Sequence, residues 1–348
     1  MSNGRRNFIK SAGYLAVLGM LPQAGWAAQV CNQRVVVGTW GGDAQRLLQQ
    51  NVDPLVAENK LDVIYDVGSA LTRQTKMRAE KNARRTSMDI SCLRDNDMYQ
   101  MSVEGTLAPI DDALIPNMVH VIPSLRRSYA VPQMFSAMVL VYSTEAVSTA
   151  PTGMADLLDP RFKGRVGVVD DQYDYLTLAG ALAVGKPNDL DAGLGFLKEL
   201  RKNEPKVYPS VDALAGALKS GEIWVTMTWK ARSVQWKKAD LAVDYVFPKE
   251  GALPATFEVG VVAGSKVIEC GVNAYLNALL SPTVQQGFAE TMGYSPVITN
   301  ANLSAELQAA VGFSEQELQG LVAPDFELLM KNKSALLDFW NRDFRVGL

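Results

Sequence analysis

The chain has 348 residues, of which 48% are hydrophobic and 20% are charged, and its formal net charge is −3. This mild acidity argues against nucleic acid or an anionic membrane surface as a partner. The single histidine, His120, argues against a histidine-based catalytic triad and against a metal site with several histidine ligands. We therefore expect neither a histidine-based catalytic site nor a metal site. No cofactor is expected either.

The N-terminus has the pattern of an export signal. Arg5 and Arg6 come before any acidic residue, the first of which is Asp43. The apolar run over residues 14–21 is shorter than the ~20 residues that span a bilayer, and small residues follow it. Residues 1–27 are therefore predicted to be a secretory signal peptide. The arginine pair resembles the twin-arginine type, with ordinary secretion as the alternative, and predicts a soluble periplasmic protein.

The first half of the remaining chain predicts alternating strands and helices. A strand at Arg34–Gly38 leads through the turn 39–42 into a helix that begins at Asp43. A second strand covers 61–67, Ser69 caps the next helix, and a third strand covers 88–92. The predicted buried face of the first helix consists of Leu47, Leu48, Val52, Leu55 and Val56. Such alternation indicates a parallel sheet covered on both faces.

The second half repeats this alternation, so that the chain predicts two α/β domains. The expected strands lie at 139–142, 166–169, 223–228, 242–247 and 257–262, and the expected helices lie near 175–184, 190–202 and 211–219. Later helices are predicted to start at Ser281-Pro282 and at the capping-box pair Ser314 and Glu317. The last helix, about 325–344, is predicted to bury Phe326, Leu329, Leu336, Leu337 and Trp340. Ligands of open α/β sheets bind beyond the carboxyl ends of strands, which directs attention to Trp40, 93–96, 170–174 and 229–232.

Five stretches in this order carry a family resemblance: "TWGG", "PTGMADLLDPRFKGRVGVVDD", "DALAGALKSGEIWVTMTW", "VFPKEGALP" and "LLSPTVQQGFAETMGYSPV". From about residue 34 to 300, the chain resembles the polyamine-binding branch of the periplasmic solute-binding proteins of ABC importers. The resemblance implies the two-lobed α/β periplasmic binding protein fold (type II), with a mainly parallel sheet in each lobe. Lobe 1 would comprise 28–136 and 256–300, and lobe 2 would comprise 137–255 and 301–348.

The resemblance also implies a function and a set of partners. Strands near 132–142 and 254–259 would cross between the lobes, which would close on a small solute about a hinge. The expected partners are that solute and the membrane subunits of an ABC importer, and we expect a monomer.

The same resemblance implies a ligand site in which aromatic rings stack on methylene groups and carboxylates bind ammonium groups. The matching positions are Trp40, Asp171, Asp174, Trp229, Glu258 and Tyr294. Core packing is the alternative role for the aromatic residues, and capping of the next helix is the alternative for Asp171.

Several positions depart from the polyamine-binding pattern. Arg94 follows the third strand, and Lys230 and Arg232 follow Trp229, whereas a tryptophan expected near Thr256 is missing. If Arg94 and Lys230 face the cleft, they would bind an anionic group. The ligand would then be a zwitterion such as an amino acid, an opine-like conjugate or an amino-phosphonate. If they are solvated surface charges, a polyamine remains open.

The three cysteines give two further hypotheses. In the implied fold, Cys31 and Cys270 both lie at the end of lobe 1 away from the cleft, which makes them a disulfide candidate. Cys92 would then be free. As an alternative function, a thiaminase-like enzyme on the same fold would use Cys92 as nucleophile with Glu258 or Asp171 as base. A sensor that presents its ligand to a membrane receptor is a third possibility.

Overall fold

A computed structural model describes residues 33–348, so the predicted signal peptide and Cys31 lie outside the described residues. The strands are β1 Arg34–Thr39, β2 Asp62–Val67, β3 Ile90–Arg94, β4 Val131–Ser143, β5 Val166–Val169, β6 Lys206–Tyr208, β7 Val225–Trp229, β8 Val243–Val246 and β9 Pro254–Val261. The helices are α1 Asp43–Asn51, α2 Asp53–Ala57, α3 Ala70–Asn82, α4 Asp95–Val103, α5 Tyr173–Ala183, α6 Leu190–Arg201, α7 Val211–Lys219, α8 Lys230–Lys238, α9 Asn273–Leu279, α10 Pro282–Met292, α11 Ala305–Val311, α12 Glu315–Gln319 and α13 Phe326–Phe339.

The strands follow the order β2-β1-β3-β9-β4-β7-β5-β6, and β8 also pairs with β4. β1 is parallel to β2 and β3, and β5 is parallel to β6 and β7. Between these two parallel groups, β9 and β4 run antiparallel to each other and to their outer neighbours. The molecule therefore consists of two parallel α/β halves that are joined by two antiparallel strands.

Each half has its own hydrophobic core. One core packs α1, α9 and α10 against β1, β3 and the end of β9. The other packs α5, α6 and α13 against β5, β7 and the second half of β4. The long strand β4 runs through both, because residues 131–137 pair with β9 and residues 138–143 pair with β7 and β8. We refer to the halves as lobe 1 and lobe 2; the exact boundaries given above stay a prediction.

The local sequence signals account for most of these elements. Ser69 and Ser210 accept hydrogen bonds from backbone N–H groups of the helices that they precede. Ser314 and Glu317 form the predicted capping box, and Pro282 occupies the first turn of α10. These short-range predictions are confirmed. They could be made from the sequence because each depends on residues within one helical turn.

Two core predictions are wrong. Leu55 is 43% exposed, because the predicted long helix is divided into α1 and α2, which changes the direction of the apolar face. Leu337 is 42% exposed, whereas its neighbour Leu336 is buried against lobe 2. Among residues 33–348, no helix combines the length and the apolar character needed to cross a bilayer.

A buried arginine holds the carboxyl ends of the lobe 1 strands together. The side chain of Arg73 in α3 is only 2% exposed. Its guanidinium donates hydrogen bonds to the carbonyl oxygens of Thr39 at 2.9 Å, Gly68 at 2.5 Å and Cys92 at 2.6 Å. Thr39 ends β1, Gly68 directly follows β2, and Cys92 lies within β3. The guanidinium also stacks 4.5 Å from the ring centre of Trp40, so the same group fixes that ring.

Replacing Arg73 with methionine should therefore destabilise the protein. The change removes a donor from each of three carbonyl oxygens, of which that of Thr39 still accepts from the Gly68 N–H at 3.1 Å. We expect a loss of about 2–4 kcal/mol in the free energy of unfolding. Urea and thermal unfolding would measure the loss. Arg85→Met, at an exposed arginine of the same lobe, is the matched control and should change stability little. Equal stability of the two variants would contradict the role given to Arg73.

Candidate functional site

Charged side chains from the two lobes meet at the carboxyl ends of β3 and β5. Arg94, the last residue of β3, forms an ion pair with Asp174 in the first turn of α5, with an N–O distance of 3.1 Å. Asn96 donates a hydrogen bond to the same carboxylate at 2.6 Å and accepts one from Arg94 at 3.0 Å. The sequence-predicted residues Arg94 and Asp174 are thus brought together, although they are 80 positions apart.

A second contact between the lobes involves Asp95 and Tyr175. The Tyr175 hydroxyl donates to Asp95 at 2.8 Å, and the Thr256 N–H of the crossing strand β9 donates to its other oxygen at 2.7 Å. Asp95 is 2% exposed, and burial raises the pKa of this carboxyl to about 6 despite these hydrogen bonds. We call Arg94, Asp95, Asn96, Asp174 and Tyr175 the interlobe polar cluster.

Tyr175 also connects this cluster to Trp229. The Arg94 guanidinium lies 4.9 Å from the centre of the Tyr175 ring, and Trp229 packs edge-on against that ring at 5.2 Å. Trp229 ends β7, is 4% exposed and belongs to the lobe 2 core. The structure therefore places Trp229 one side chain away from Arg94, with Tyr175 between them.

An aromatic triad lies beside the polar cluster. Phe257 contacts Trp40 at 5.6 Å and Tyr294 at 5.2 Å between ring centres, both edge-on. Phe257 is directly opposite Arg94 in the antiparallel pair of β3 and β9, so the two side chains leave the same face of the sheet. The triad thus combines the predicted residues Trp40 and Tyr294 with an aromatic ring that the sequence reasoning missed. Strand alternation next to Glu258 was the signal that pointed to Phe257.

Glu258 lies on the opposite face of β9 from Phe257. It is fully buried, neither carboxyl oxygen has a hydrogen-bond partner within residues 33–348, and Nε of Arg127 lies 3.5 Å from Oε1. Burial, with the nearby negative charge of Asp95, raises the pKa of Glu258 well above its usual range, and Arg127 offsets only part of this. Its full burial, on the face of β9 opposite Phe257, does not favour the predicted role of Glu258 in binding ammonium groups.

Lys230 is occupied by contacts within the protein. It is 1% exposed, its ammonium group donates to the carbonyl oxygen of Gly312, and it lies 4.3 Å and 4.9 Å from the ring centres of Phe313 and Tyr245. These contacts join α8 to the segment between α11 and α12. They favour a structural role for Lys230 over the predicted role of binding an anionic ligand group.

The two adjacent aspartates after β5 differ in their surroundings. Asp170 accepts hydrogen bonds from the indole N–H of Trp340 at 2.6 Å and from Arg345 at 2.9 Å, which anchor the C-terminal segment. Asp171 is exposed and makes no helix-capping hydrogen bond, so the alternative capping role is not seen. Its position beside Asp174 leaves it available for a solute.

The cysteines do not support the enzyme hypothesis. Cys92 is a free thiol that is 1% exposed in the lobe 1 core. Burial raises the pKa of Cys92 to about 11, whereas a nucleophilic cysteine needs a lowered pKa. Cys270 is disulfide-bonded. Because Cys31 lies outside the described residues, the pairing of Cys31 with Cys270 stays a prediction.

Comparisons with known proteins agree with this architecture. Over 258 residues the chain is 27% identical to the spermidine/putrescine-binding periplasmic protein of Escherichia coli. The aligned part is 70% of this chain and 72% of that relative. The chain is 22% identical over 337 residues to a putative 2-aminoethylphosphonate-binding periplasmic protein of Salmonella typhimurium, covering 94% and 96% of the two chains. The solved structure of the spermidine/putrescine ABC transporter substrate-binding protein PotD from Streptococcus pneumoniae superposes with a TM-score of 0.73 at 20% identity, covering 89% of this chain and 98% of that one.

Two α/β lobes joined by crossing strands define the two-lobed fold of the periplasmic binding proteins. The chain belongs to the bacterial extracellular solute-binding protein family, whose model matches residues 51–315. The fold class and the family expected from the five sequence stretches are confirmed.

The raised pKa of Asp95 predicts a specific pH dependence of stability. Its folded-state pKa of about 6 exceeds the ordinary value of 3.8, so the folded protein binds the extra proton and stability is lost as the pH rises through that interval. Relative to Asp95→Asn, the wild-type free energy of unfolding should fall by up to roughly 3 kcal/mol between about pH 4 and pH 7. Urea unfolding of both proteins at several pH values would measure this, and a difference that is independent of pH would contradict it.

Proposed function

We propose that this protein captures a small amine-containing solute between its lobes in the periplasm and delivers it to an ABC importer. The ion pair between Arg94 and Asp174 carries this proposal, because it puts an acid and a base of opposite lobes at one point beside an aromatic triad. The relatives named above, which are periplasmic and bind amines or an amino-phosphonate according to their names, support it. In this proposal residues 1–27 are the export signal, of the twin-arginine type, and the lobes have the boundaries predicted from the sequence.

In the proposed site, carboxylates bind the charged end of the solute and aromatic rings cover its apolar part. Asp171 and Asp174 bind the ammonium group of the solute, since charge-assisted hydrogen bonds are the strongest available to an amine. Trp40 and Phe257 cover its methylene groups, and a cation above such a ring gains ~0.5–2 kcal/mol. Tyr294 is 1% exposed in the lobe 1 core and supports the Phe257 ring from behind. Trp229 acts through Tyr175, against which it packs. Closure about β4 and β9 brings these two sets of side chains onto the solute.

The solute has to compete with contacts that the lobes already make. Arg94 and Asn96 both bind the Asp174 carboxylate, so an ammonium group that reaches Asp174 displaces or shares these donors. A plain diamine would leave the Arg94 guanidinium without its carboxylate partner. A solute that carries an anionic group as well would compensate this charge, and we therefore favour a zwitterion over a polyamine.

A thermal-shift panel tests the proposed function. The panel contains polyamines, amino acids, opine-like conjugates and amino-phosphonates, added to the mature protein. A solute at 1,000 times its dissociation constant adds ~4 kcal/mol to stability, which raises the melting temperature by several degrees. We expect a shift with at least one amine-containing member. The absence of any shift across the panel, at concentrations up to several millimolar, would count against the proposal.

Asp174→Asn tests the site directly. Removing the carboxylate deletes the charge-assisted contact to the ammonium group, and we expect the affinity for the amine found in the panel to fall about 10- to 100-fold. Isothermal titration calorimetry would measure it. The matched control is Asp343→Asn, which removes one negative charge at an exposed position near the C-terminus and should bind like the wild type. If both variants bind the amine like the wild type, Asp174 does not belong to the site.

A further inference from the structure

The inference concerns Arg232, in the first turn of α8. It rests on the proposed function and names the part of the solute that this arginine recognises. Three cations lie at or just after the carboxyl ends of β3 and β7: Arg94, Lys230 and Arg232. Arg94 is neutralised by Asp174, and Lys230 is enclosed by Tyr245, Phe313 and the Gly312 carbonyl.

Arg232 differs from both in lacking an acidic partner. Within residues 33–348 no carboxylate lies within salt-bridge distance of it, and its single side-chain hydrogen bond is to Oε1 of Gln235 at 2.6 Å. Its Nε is buried and has no partner in that part of the chain. A partly buried guanidinium with an unused, solvent-free donor is costly unless something else binds it.

The surroundings of Arg232 place it next to the aromatic triad. Gly293 ends α10 with φ +71°, and a Cβ added there would lie only 2.7 Å from the carbonyl oxygen of Ala231, so this backbone packs directly against the first turn of α8. The next residue is Tyr294. Burial raises the pKa of the Tyr294 phenol, and the positive charge of Arg232 acts in the opposite direction. Arg232 therefore lies close enough to Tyr294 for its positive charge to act on this residue of the triad.

The local potential on α8 favours an anion as well. Its first turn carries no acidic residue, and Trp229 at the N-cap gives no side-chain cap. The Ala231 N–H donates to the neutral hydroxyl of Ser136 at 3.1 Å, so one N–H group is paired but no negative charge offsets the positive end of this nine-residue helix. This adds to the charge of Arg232, whose planar fork matches carboxylate and phosphonate oxygens.

We propose that Arg232 binds the anionic group of a zwitterionic solute whose ammonium group is held by Asp171 and Asp174. Arg232 would then determine the preference of this site for carboxylate- or phosphonate-bearing amines over diamines. Arg232 would share this role with Arg94, whose carboxylate partner Asp174 is taken up by the ammonium group. Lys230 would not take part, because its contacts with Gly312, Phe313 and Tyr245 lie inside the protein.

The experiment compares a matched pair of probes, 4-aminobutanoate and 1,4-diaminobutane, together with 2-aminoethylphosphonate, by isothermal titration calorimetry. Arg232→Gln should weaken binding of the two zwitterions about 10- to 100-fold while binding of the diamine is unchanged or tighter. Arg232→Lys should recover only part of the loss, because a lysine cannot make the two-pronged contact. Arg85→Gln removes one positive charge from an exposed position and is the control. Melting curves without solute show whether each variant is folded.

The outcomes separate this inference from the proposed function. Wild-type protein that binds the diamine alone would uphold an amine-binding function and overturn the role of Arg232. Zwitterion binding that survives Arg232→Gln in a folded variant would also overturn it. Binding of none of the probes, nor of any member of the broader panel, would overturn both. A selective loss of the zwitterions in Arg232→Gln, absent in Arg85→Gln, is the result expected.

Discussion

The Arg73 guanidinium is the constraint on which the lobe 1 side of the site depends. It donates to the carbonyl oxygens of Thr39 at the end of β1, of Gly68 just after β2 and of Cys92 within β3, and so ties these three neighbouring strands together. By stacking on Trp40 it also sets the position of that ring. Once these strand ends are fixed, Arg94 and the start of α4 have a defined place, and Phe257 of β9 is fixed by its register opposite Arg94.

The contacts between the lobes follow from the need to pair buried charges. Arg94 and Asp174 come from different lobes, and each would be costly to bury alone. Asp95, Tyr175 and the backbone of Thr256 extend this pairing to the crossing strand. In the proposed site, a solute would exchange one set of charge contacts for another, so that its charges would determine binding more than its size. Arg232, which lacks such a partner, then becomes the group with most to gain from an anion.

Much of this could be predicted from local sequence. The caps at Ser69, Ser210 and Ser314 depend on neighbouring residues, and the placement of Trp40, Arg94 and Asp174 after strands followed from the general location of ligand sites in α/β sheets. Phe257 was missed although strand alternation marked it as the opposite face from Glu258. From the sequence, Lys230 is either a cation that faces the solute or a solvated surface charge. The structure shows neither, because Phe313 and Tyr245 enclose it, and no local sequence pattern indicates these contacts.

The sequence by itself determined the two alternating α/β halves, the family and the residues that follow the strands. These depend on hydrophobic periodicity, on turn chemistry and on motifs in a fixed order, all of which can be read along the chain. Only the tertiary structure decided which charges meet, since pairing across lobes depends on distances between residues as far apart as Arg94 and Asp174. Whether a cation is free to bind a solute or has a structural role depends on whether a carboxylate or an aromatic ring of the protein packs against it. Such contacts are decided by the tertiary structure.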